Sequence, residues 1–374
     1  MAIDGEMEGG NIEVLGSSGG GAELAIRADS NADFRQWFQF RATGAAGKRS
    51  ELRILNAGES TYPDAWEDYR ACASYDQQRW FRVPTTFDGT TLTIDHHPHE
   101  DIVTYAYFAP FTLERQNALL TRAARSRGVK IQTIAKSVQG RDVDVAIIGE
   151  PERHRRRIWI TARQHPGETM AEWFAAGMLE RLLTRTDPII RELTERAVLY
   201  IVPNMNPDGS VLGNLRANAA GMNLNRAWLE PDAETSPEVL GVREFMHATG
   251  VDLFLDIHGD ERNPYCFLAG CEGNPGYSER IRDLENLFEQ SLVAFDDDFQ
   301  DEYGYDRDEP GAGDLSSAAN YVGETFDCLS YTLEMPFKDA ENNPDATRGW
   351  TPERASRLGR AALDSVCVCL ESLR

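Results

Sequence analysis

The sequence predicts an α/β protein in two parts: an N-terminal antiparallel β-sandwich over residues 1–111, and an α/β domain over residues 112–374 with a largely parallel central sheet. Short segments that alternate apolar and polar residues fill the first part, as in half-buried strands. After Ala109-Pro110 the pattern changes to apolar strands that alternate with helices, which is typical of layered α/β folds. A chain of 374 residues also exceeds the usual size of one core.

Eight short segments carry the strand pattern of the first part, with turn residues between them. Two facing sheets are the economical way to bury the apolar faces of so many short strands, so we expect a small sandwich. The segments are IEVL, AELAIR, QWFQFRAT, ELRILN, YRACASY, RWFRV, TLTID and IVTYAYF.

Four apolar runs are the predicted buried strands of the second part, at residues 142–148, 157–162, 198–202 and 251–257. The segment that begins at Glu168 has Phe174, Met178 and Leu182 at four-residue steps, and this spacing predicts a helix with one apolar face. An acidic run at 296–309 is predicted to be a solvated loop.

Charge and composition exclude several classes of partner. The formal net charge of −23 opposes binding to nucleic acid or anionic membranes, because both partners need basic protein surface.

The N-terminus lacks the basic start and apolar run of a secretory signal, and no apolar stretch approaches membrane-spanning length. Six cysteines without a CxxC pair indicate reduced thiols rather than disulfides or a cysteine-zinc site. We therefore expect a cytoplasmic protein.

Two histidines and one carboxylate form a candidate zinc site. His165 and Glu168 are separated by a Pro-Gly turn that can bring their side chains together, although an acid at a helix N-terminus explains this pattern equally well. His258 follows a second apolar strand, and ligands collect at the carboxyl ends of strands in open α/β sheets. Two imidazoles and a carboxylate leave the fourth tetrahedral position to water, as catalytic zinc sites do. Asp256 could accept the other N–H of His258 or form a local hydrogen bond.

Nine motifs, in the family's order, resemble those of the metallocarboxypeptidases, and most closely those of the cytosolic branch that contains the tubulin-processing enzymes and their bacterial relatives. They are WFQF (37–40), YAYFAPFT (105–112), SVQGRDVDV (137–145), HPGE (165–168), NPDG (206–209), GNLR (213–216), NLNR (223–226), DIHGD (256–260) and YTLEMPF (331–337). The first two match the N-terminal β-domain of the cytosolic branch. The resemblance implies a mixed central sheet, one Zn²⁺ per chain, and hydrolysis of C-terminal residues from peptide or protein tails.

The resemblance also implies roles for five further residues. Glu334 matches the general base, which accepts a proton from a zinc-activated water and passes it to the leaving amine. Arg216 matches the arginine that polarises the scissile carbonyl, and Asn225 with Arg226 matches the pair that holds a C-terminal carboxylate. Tyr321 is the candidate for the family's tyrosine near the scissile bond. Without the resemblance, each arginine equally fits a surface salt bridge, and Glu334 fits a strand-end acid.

The sequence says least about which C-terminal residue is released from the substrate. Cytosolic relatives that remove glutamate carry a basic residue upstream of the catalytic glutamate, but this chain has no Lys or Arg between Gly311 and Glu334. Arg307 and Lys338 flank that gap and are the candidate cations for a glutamate pocket.

Two other functions are compatible with the same residues. One is a zinc-dependent deacylase or amidase that acts on small acyl-amino acids or on cell-wall γ-glutamyl peptides. The other is a binding module that recognises acidic tails with an inactive catalytic fold, but neither a metal ligand nor the base is missing from the sequence.

Overall fold

Two five-stranded sheets form the N-terminal part in a computed structural model that describes residues 1–18, 20–152 and 154–374. The strands are β1 (Ala2–Asp4), β2 (Glu13–Ser18), β3 (Gly21–Ala25), β4 (Gln39–Thr43), β5 (Ser50–Ile54), β6 (Cys72–Ser74), β7 (Phe81–Arg82), β8 (Thr85–Phe87), β9 (Leu92–His96) and β10 (Ile102–Ala106). Their orders are β1-β4-β10-β6-β7 and β2-β3-β5-β9-β8. The β3–β5 pair is parallel, and the other pairs in these sheets are antiparallel.

The buried faces of both sheets belong to one apolar core. Leu24 and Ile94 are fully buried on one sheet, and Phe40 and Tyr105 are fully buried on the other. Phe40 and Tyr105 are cross-strand partners whose rings stack with centroids 5.2 Å apart. This core continues into the second part of the chain, so the two parts pack against each other through apolar side chains.

A seven-stranded mixed sheet forms the centre of the second part, in the order β11-β12-β14-β13-β15-β17-β16. The strands are β11 (Val129–Lys136), β12 (Asp142–Ile148), β13 (Arg156–Ala162), β14 (Ala197–Val202), β15 (Leu253–Ile257), β16 (Phe267–Ala269) and β17 (Leu329–Glu334). The helices are α1 (Leu113–Ala124), α2 (Thr169–Leu182), α3 (Pro188–Arg196), α4 (Pro207–Leu212), α5 (Pro237–Thr249), α6 (Glu279–Phe295), α7 (Ala318–Phe326) and α8 (Pro352–Cys369).

The four predicted apolar runs are the strands β12, β13, β14 and β15. Strands β14, β13, β15 and β17 are parallel, whereas the outer pairs are antiparallel. The predicted fold class is therefore confirmed, with the β3–β5 pair as a parallel exception in the first part.

Both faces of the central sheet are covered, which explains why its strands are apolar throughout. Along β13, Ile158 and Ile160 belong to the core that contains α2 and α8, whereas Trp159 faces the opposite way and packs against Phe245 of α5. Among the described residues, no helix is both long enough and apolar enough to cross a bilayer.

The parallel centre of the sheet brings the candidate site together. His165 follows β13, His258 follows β15, and Glu334 is the last residue of β17. Adjacent strands in register place these ends at one edge, since Ile257 is paired with Ala162 on one side and with Leu333 on the other.

Candidate metal centre and catalytic cavity

His165, Glu168 and His258 converge at the carboxyl edge of the sheet. One ligand atom from each residue lies within 4.8 Å of the others, and all three side chains are buried. Nδ1 of His165 lies 2.7 Å from Oε1 of Glu168, and Nδ1 of His258 lies 2.7 Å from Oε2 of the same carboxylate. The two Nδ1 atoms are 3.2 Å apart. Three residues that are up to 93 positions apart in the sequence thus present their donor atoms to one point.

The outward nitrogen of each imidazole has its own oxygen partner. Nε2 of His258 lies 2.7 Å from Oδ2 of Asp256, and Nε2 of His165 lies 3.0 Å from Oδ1 of Asn223. An N–H donated from Nε2 leaves the Nδ1 lone pair available to a metal. Both interpretations of Asp256 are observed, since its carboxylate contacts the imidazole of His258 and also accepts hydrogen bonds from Thr161 and Gln164. Asn223 is not among the predicted site residues, although it is the first residue of the NLNR motif.

This donor set fits a zinc ion. Two imidazole nitrogens and one carboxylate are one of the known sets of protein ligands that hold a catalytic zinc with an open position. Although burial raises the pKa of Glu168, the two imidazoles lower it further, so its net pKa lies below the ordinary value and the side chain is an anion. Burial, assisted by Arg216, lowers the pKa of His165 to about 4, which keeps this imidazole neutral and able to bind a metal.

Glu334 lies beside the ligand cluster and is nearly buried. Its Oε1 accepts a hydrogen bond from the hydroxyl of Tyr305 at 3.3 Å, and its Oε2 has no hydrogen-bond partner within the described parts of the chain. Burial raises the pKa of Glu334 well above its ordinary value; His258 opposes this shift, and Glu168 and Asp260 add to it. A buried carboxyl whose pKa is raised above its ordinary value is suited to taking up a proton and releasing it again.

Arg216, Asn225 and Arg226 line the same cavity, which has a volume of about 760 Å³. Nη1 of Arg216 lies 3.9 Å from Oε1 of Glu168. Asn225 and Arg226 belong to a short 3₁₀ helix, Leu224–Arg226, where Asn225 accepts the backbone N–H of Ala318 at 2.8 Å. The guanidinium of Arg226 is half-exposed, 3.4 Å from a carboxylate of the cavity wall. The structure therefore brings these three residues to the cavity that is also lined by two of the candidate metal ligands, His165 and Glu168.

Tyr321 is not brought to this group. Its hydroxyl pairs with Nε2 of His247 at 3.0 Å, and Arg243 lies over its ring at 5.2 Å, so it faces α5. Tyr305 is the tyrosine near Glu334, and its hydroxyl donates to Oδ2 of Asp260 at 2.6 Å. Tyr305 lies in the acidic segment 296–309, whose composition predicted only a solvated loop.

The N-terminal part also contributes to the cavity wall. The ring of Tyr62 lines the cavity, and the guanidinium groups of Arg216 and Arg262 lie 5.9 and 5.0 Å from its centroid. Arg262 also pairs with Asp64 of the N-terminal part at 2.9 Å. The cavity is thus built by both parts of the chain.

Comparisons with known proteins agree with this site. Residues 3–108 match the model of the cytosolic carboxypeptidase N-terminal domain, and residues 117–355 match that of the zinc carboxypeptidases. An uncharacterized protein of Zymomonas mobilis is 45% identical over 373 residues, which cover 100% of this chain and 97% of that protein. Cytosolic carboxypeptidase 6 of the mouse is 29% identical over 371 residues, which cover 90% of this chain and 67% of that protein.

The likeness extends to solved structures. A metallo-carboxypeptidase from Pseudomonas aeruginosa in complex with (2-guanidinoethylmercapto)succinic acid is 47% identical and has a TM-score of 0.98. The match covers 100% of this chain and 100% of that chain. The resemblance predicted from the motifs is therefore confirmed. This chain belongs to the zinc carboxypeptidase family, whose members are metallopeptidases, and it carries the N-terminal domain of the cytosolic carboxypeptidases.

Proposed function

We propose that this metallocarboxypeptidase removes residues from the free C-termini of peptides or proteins, with one Zn²⁺ held by His165, Glu168 and His258. The observation that supports this most strongly is the convergence of two inward Nδ1 atoms and a carboxylate beside a cavity that Glu334 also lines, where its Oε2 has no hydrogen-bond partner among the described residues. A zinc ion bound there supplies a Lewis acid that polarises a carbonyl and activates water.

The chain's own residues perform the remaining steps of this proposal. Glu334 accepts a proton from the attacking water and delivers it to the amine that leaves. Arg216 stabilises the negative charge that develops on the carbonyl oxygen, as a preorganised cation in a partly buried site can. We assign the role of the tyrosine near the scissile bond to Tyr305 rather than Tyr321, because the Tyr305 hydroxyl contacts Glu334 and the Tyr321 hydroxyl contacts His247.

Asn225 and Arg226 are the proposed site for the C-terminal carboxylate of the substrate. Arg226→Ala should raise KM for a peptide with a free C-terminus by about ten- to hundredfold, because a hydrogen bond between charged groups is lost, while kcat should change less. Steady-state kinetics on one peptide measures both constants. Arg196→Ala, which removes an exposed arginine of α3, is the matched control and should leave KM unchanged. An unchanged KM in Arg226→Ala would contradict this assignment.

Peptides with an amidated C-terminus separate this proposal from the deacylase or amidase alternative. They lack the negative charge that Arg226 is proposed to bind, so we expect them to be poor substrates. Equal cleavage of free and amidated peptides would favour the amidase.

We further propose that glutamate is the residue released, as the resemblance to the cytosolic branch implies, and that Arg307 is the cation that binds its side chain. Arg307 lines the cavity. Lys338 is not among the described lining residues, and its Nζ donates to the backbone oxygen of Glu67. One nearby cation can outweigh many distant acids, because charges in solvent are screened within about 10 Å at ordinary salt.

The cavity wall also favours a competing substrate class. Carboxylates outnumber arginines along it, which suits a basic C-terminal residue. The relative from Pseudomonas aeruginosa is solved with a succinic acid that carries a guanidino group.

The repulsion between the cavity wall and a substrate glutamate is weakened at one point. Burial raises the pKa of Glu285 to about 7 and leaves that side chain partly protonated at neutral pH.

A panel of peptides that end in Glu, Lys, Leu and Phe should show the highest kcat/KM for Glu. Arg307→Ala should lower kcat/KM for the Glu peptide by about tenfold or more, because it removes a charge-assisted contact. The kcat/KM for the Leu peptide should stay unchanged. Arg307→Lys, which retains the charge, is the matched control. If the peptide that ends in Lys is cleaved fastest, the result supports the competing class of substrates with a basic C-terminal residue. Faster release of Leu or Phe than of Glu would contradict the glutamate proposal and leave the zinc assignment standing.

We also propose that the protein acts in the cytoplasm. Its N-terminal domain is that of the cytosolic branch, and all six cysteines are free thiols, as expected in a reducing compartment.

A further inference from the structure

Asp29 in the N-terminal part binds the backbone of the segment that carries Arg216. Its carboxylate accepts hydrogen bonds from the N–H groups of Leu215, Arg216 and Ala217 at 2.6, 2.7 and 2.8 Å. Asp29 lies in the loop between β3 and β4 and is 4% exposed. Hydrogen bonds to an ionised acceptor are stronger than neutral ones, and three of them restrain three consecutive peptide groups.

The same segment is held from its other side by the turn that carries the metal ligands. The backbone oxygen of Leu215 accepts the N–H of Gly167 at 2.8 Å, and a Cβ at Gly167 would lie only 2.9 Å from that oxygen. Residues 215–217 therefore lie between Asp29 of the N-terminal part and the turn between His165 and Glu168. A displacement of Asp29 would therefore shift a backbone segment that is hydrogen-bonded to the turn between His165 and Glu168.

The N-terminal part also contacts the side chain of Arg216. Tyr62 presents its ring to the guanidinium at 5.9 Å, and Oε1 of Glu168 lies 3.9 Å from Nη1 of Arg216. Neighbouring contacts between the two parts do not reach Arg216: Ser30 binds the side chain of Asn214, and Asn31 donates to the backbone oxygen of Ala219 at 2.8 Å.

We infer that Asp29 is a positioning residue for catalysis, which fixes the backbone of Arg216 so that its guanidinium faces the oxygen of the scissile carbonyl. The inference rests on the proposed function, because it assigns Arg216 to that oxygen. A donor held in place before the reaction needs no reorganisation when charge develops, and this is the source of its catalytic effect. The N-terminal domain is then part of the active site rather than an appended module.

The test compares Asp29→Asn, Arg216→Ala and the double variant in the full-length, zinc-loaded protein. Asp29→Asn retains the shape of the side chain but loses its charge and one acceptor oxygen. We expect kcat to fall at least about tenfold with KM little changed, because small misplacements of a catalytic group are costly. In the Arg216→Ala background, the same change should cost less than about twofold, because Asp29 then has no guanidinium to position.

Asn31→Gly is the matched control for a merely structural effect at the same interface. Asn31 has a φ of 56°, which glycine adopts without strain, so the variant removes the contact with Ala219 and leaves 215–217 untouched. Its kcat should remain within about twofold of the wild-type value. Asp29→Glu, which retains the charge but is one methylene longer, should give an intermediate kcat, and it tests the inference if Asp29→Asn does not fold.

Four results would overturn the inference: an equal loss from Asp29→Asn in both backgrounds, an equally large loss from Asn31→Gly, a crystal structure of Asp29→Asn in which residues 215–217 have not moved, or normal turnover in Asp29→Asn. Failure of the proposed function is distinguishable, because the wild type would then release no C-terminal residue, while the crystal structure would still report on Asp29. Normal turnover in Asp29→Asn combined with a large loss in Arg216→Ala would reject the inference alone.

Discussion

His258→Ala should remove both zinc and peptidase activity. The variant keeps only His165 and Glu168 as protein ligands, and catalytic zinc is ordinarily held by three. It also leaves Asp256 buried without its imidazole partner, although Thr161 and Gln164 still donate to that carboxylate. We expect zinc content far below one ion per chain and a loss of kcat/KM of several orders of magnitude. Elemental analysis of the purified variant, combined with peptide hydrolysis, measures both.

His247→Ala is the matched control for this change. His247 lies on α5 and pairs with the hydroxyl of Tyr321, away from the metal ligands. Its loss should change neither zinc content nor turnover. Full zinc occupancy with normal turnover in His258→Ala would show that the metal is bound elsewhere.

Glu334→Gln should preserve the fold and the zinc but lower kcat by about 10²- to 10⁴-fold, the usual contribution of a general base. The amide has nearly the shape of the carboxyl group and cannot accept the proton. Because burial disfavours the charged form of Glu334, the neutral amide should not lower Tm. Stopped assays of peptide hydrolysis, thermal melting and elemental analysis together separate a chemical defect from an unfolded or metal-free protein.

Glu341→Gln provides the comparison for Glu334→Gln. Glu341 is exposed and accepts a hydrogen bond from Tyr265 at 2.8 Å, so its replacement should leave kcat unchanged. If Glu334→Gln retains near-normal kcat, a different residue is the base.

Local sequence patterns were enough to predict the fold class and the proximity of the two histidines and the carboxylate at the edge of the central sheet. The apolar runs that became β13 and β15 are long enough and apolar enough to be buried strands, and neighbouring parallel strands end at one edge of a sheet. His165 and His258 follow those strands, so their proximity could be inferred before any coordinates were known. Motif order then extended the inference to Glu334, Arg216 and the Asn225–Arg226 pair.

Patterns failed where the direction of a side chain depends on packing. Tyr321 and Tyr305 are both tyrosines upstream of Glu334, but the packing of α7 against α5 turns Tyr321 toward His247. The parallel pairing of β3 with β5 was missed for a related reason. Alternation within a strand shows which residues are buried and does not reveal the neighbouring strand or its direction.

The sequence by itself determined the α/β fold class and the membership of the zinc carboxypeptidase family, because periodicity and short motifs depend on neighbouring residues. Only the tertiary structure decided which groups complete the site. Asn223 contacts Nε2 of His165 from 58 positions away, and Asp29 accepts the backbone N–H of Arg216 across 187 positions. Such contacts leave no periodic trace in the sequence, because they arise only when separate elements pack together and buried polar groups find partners.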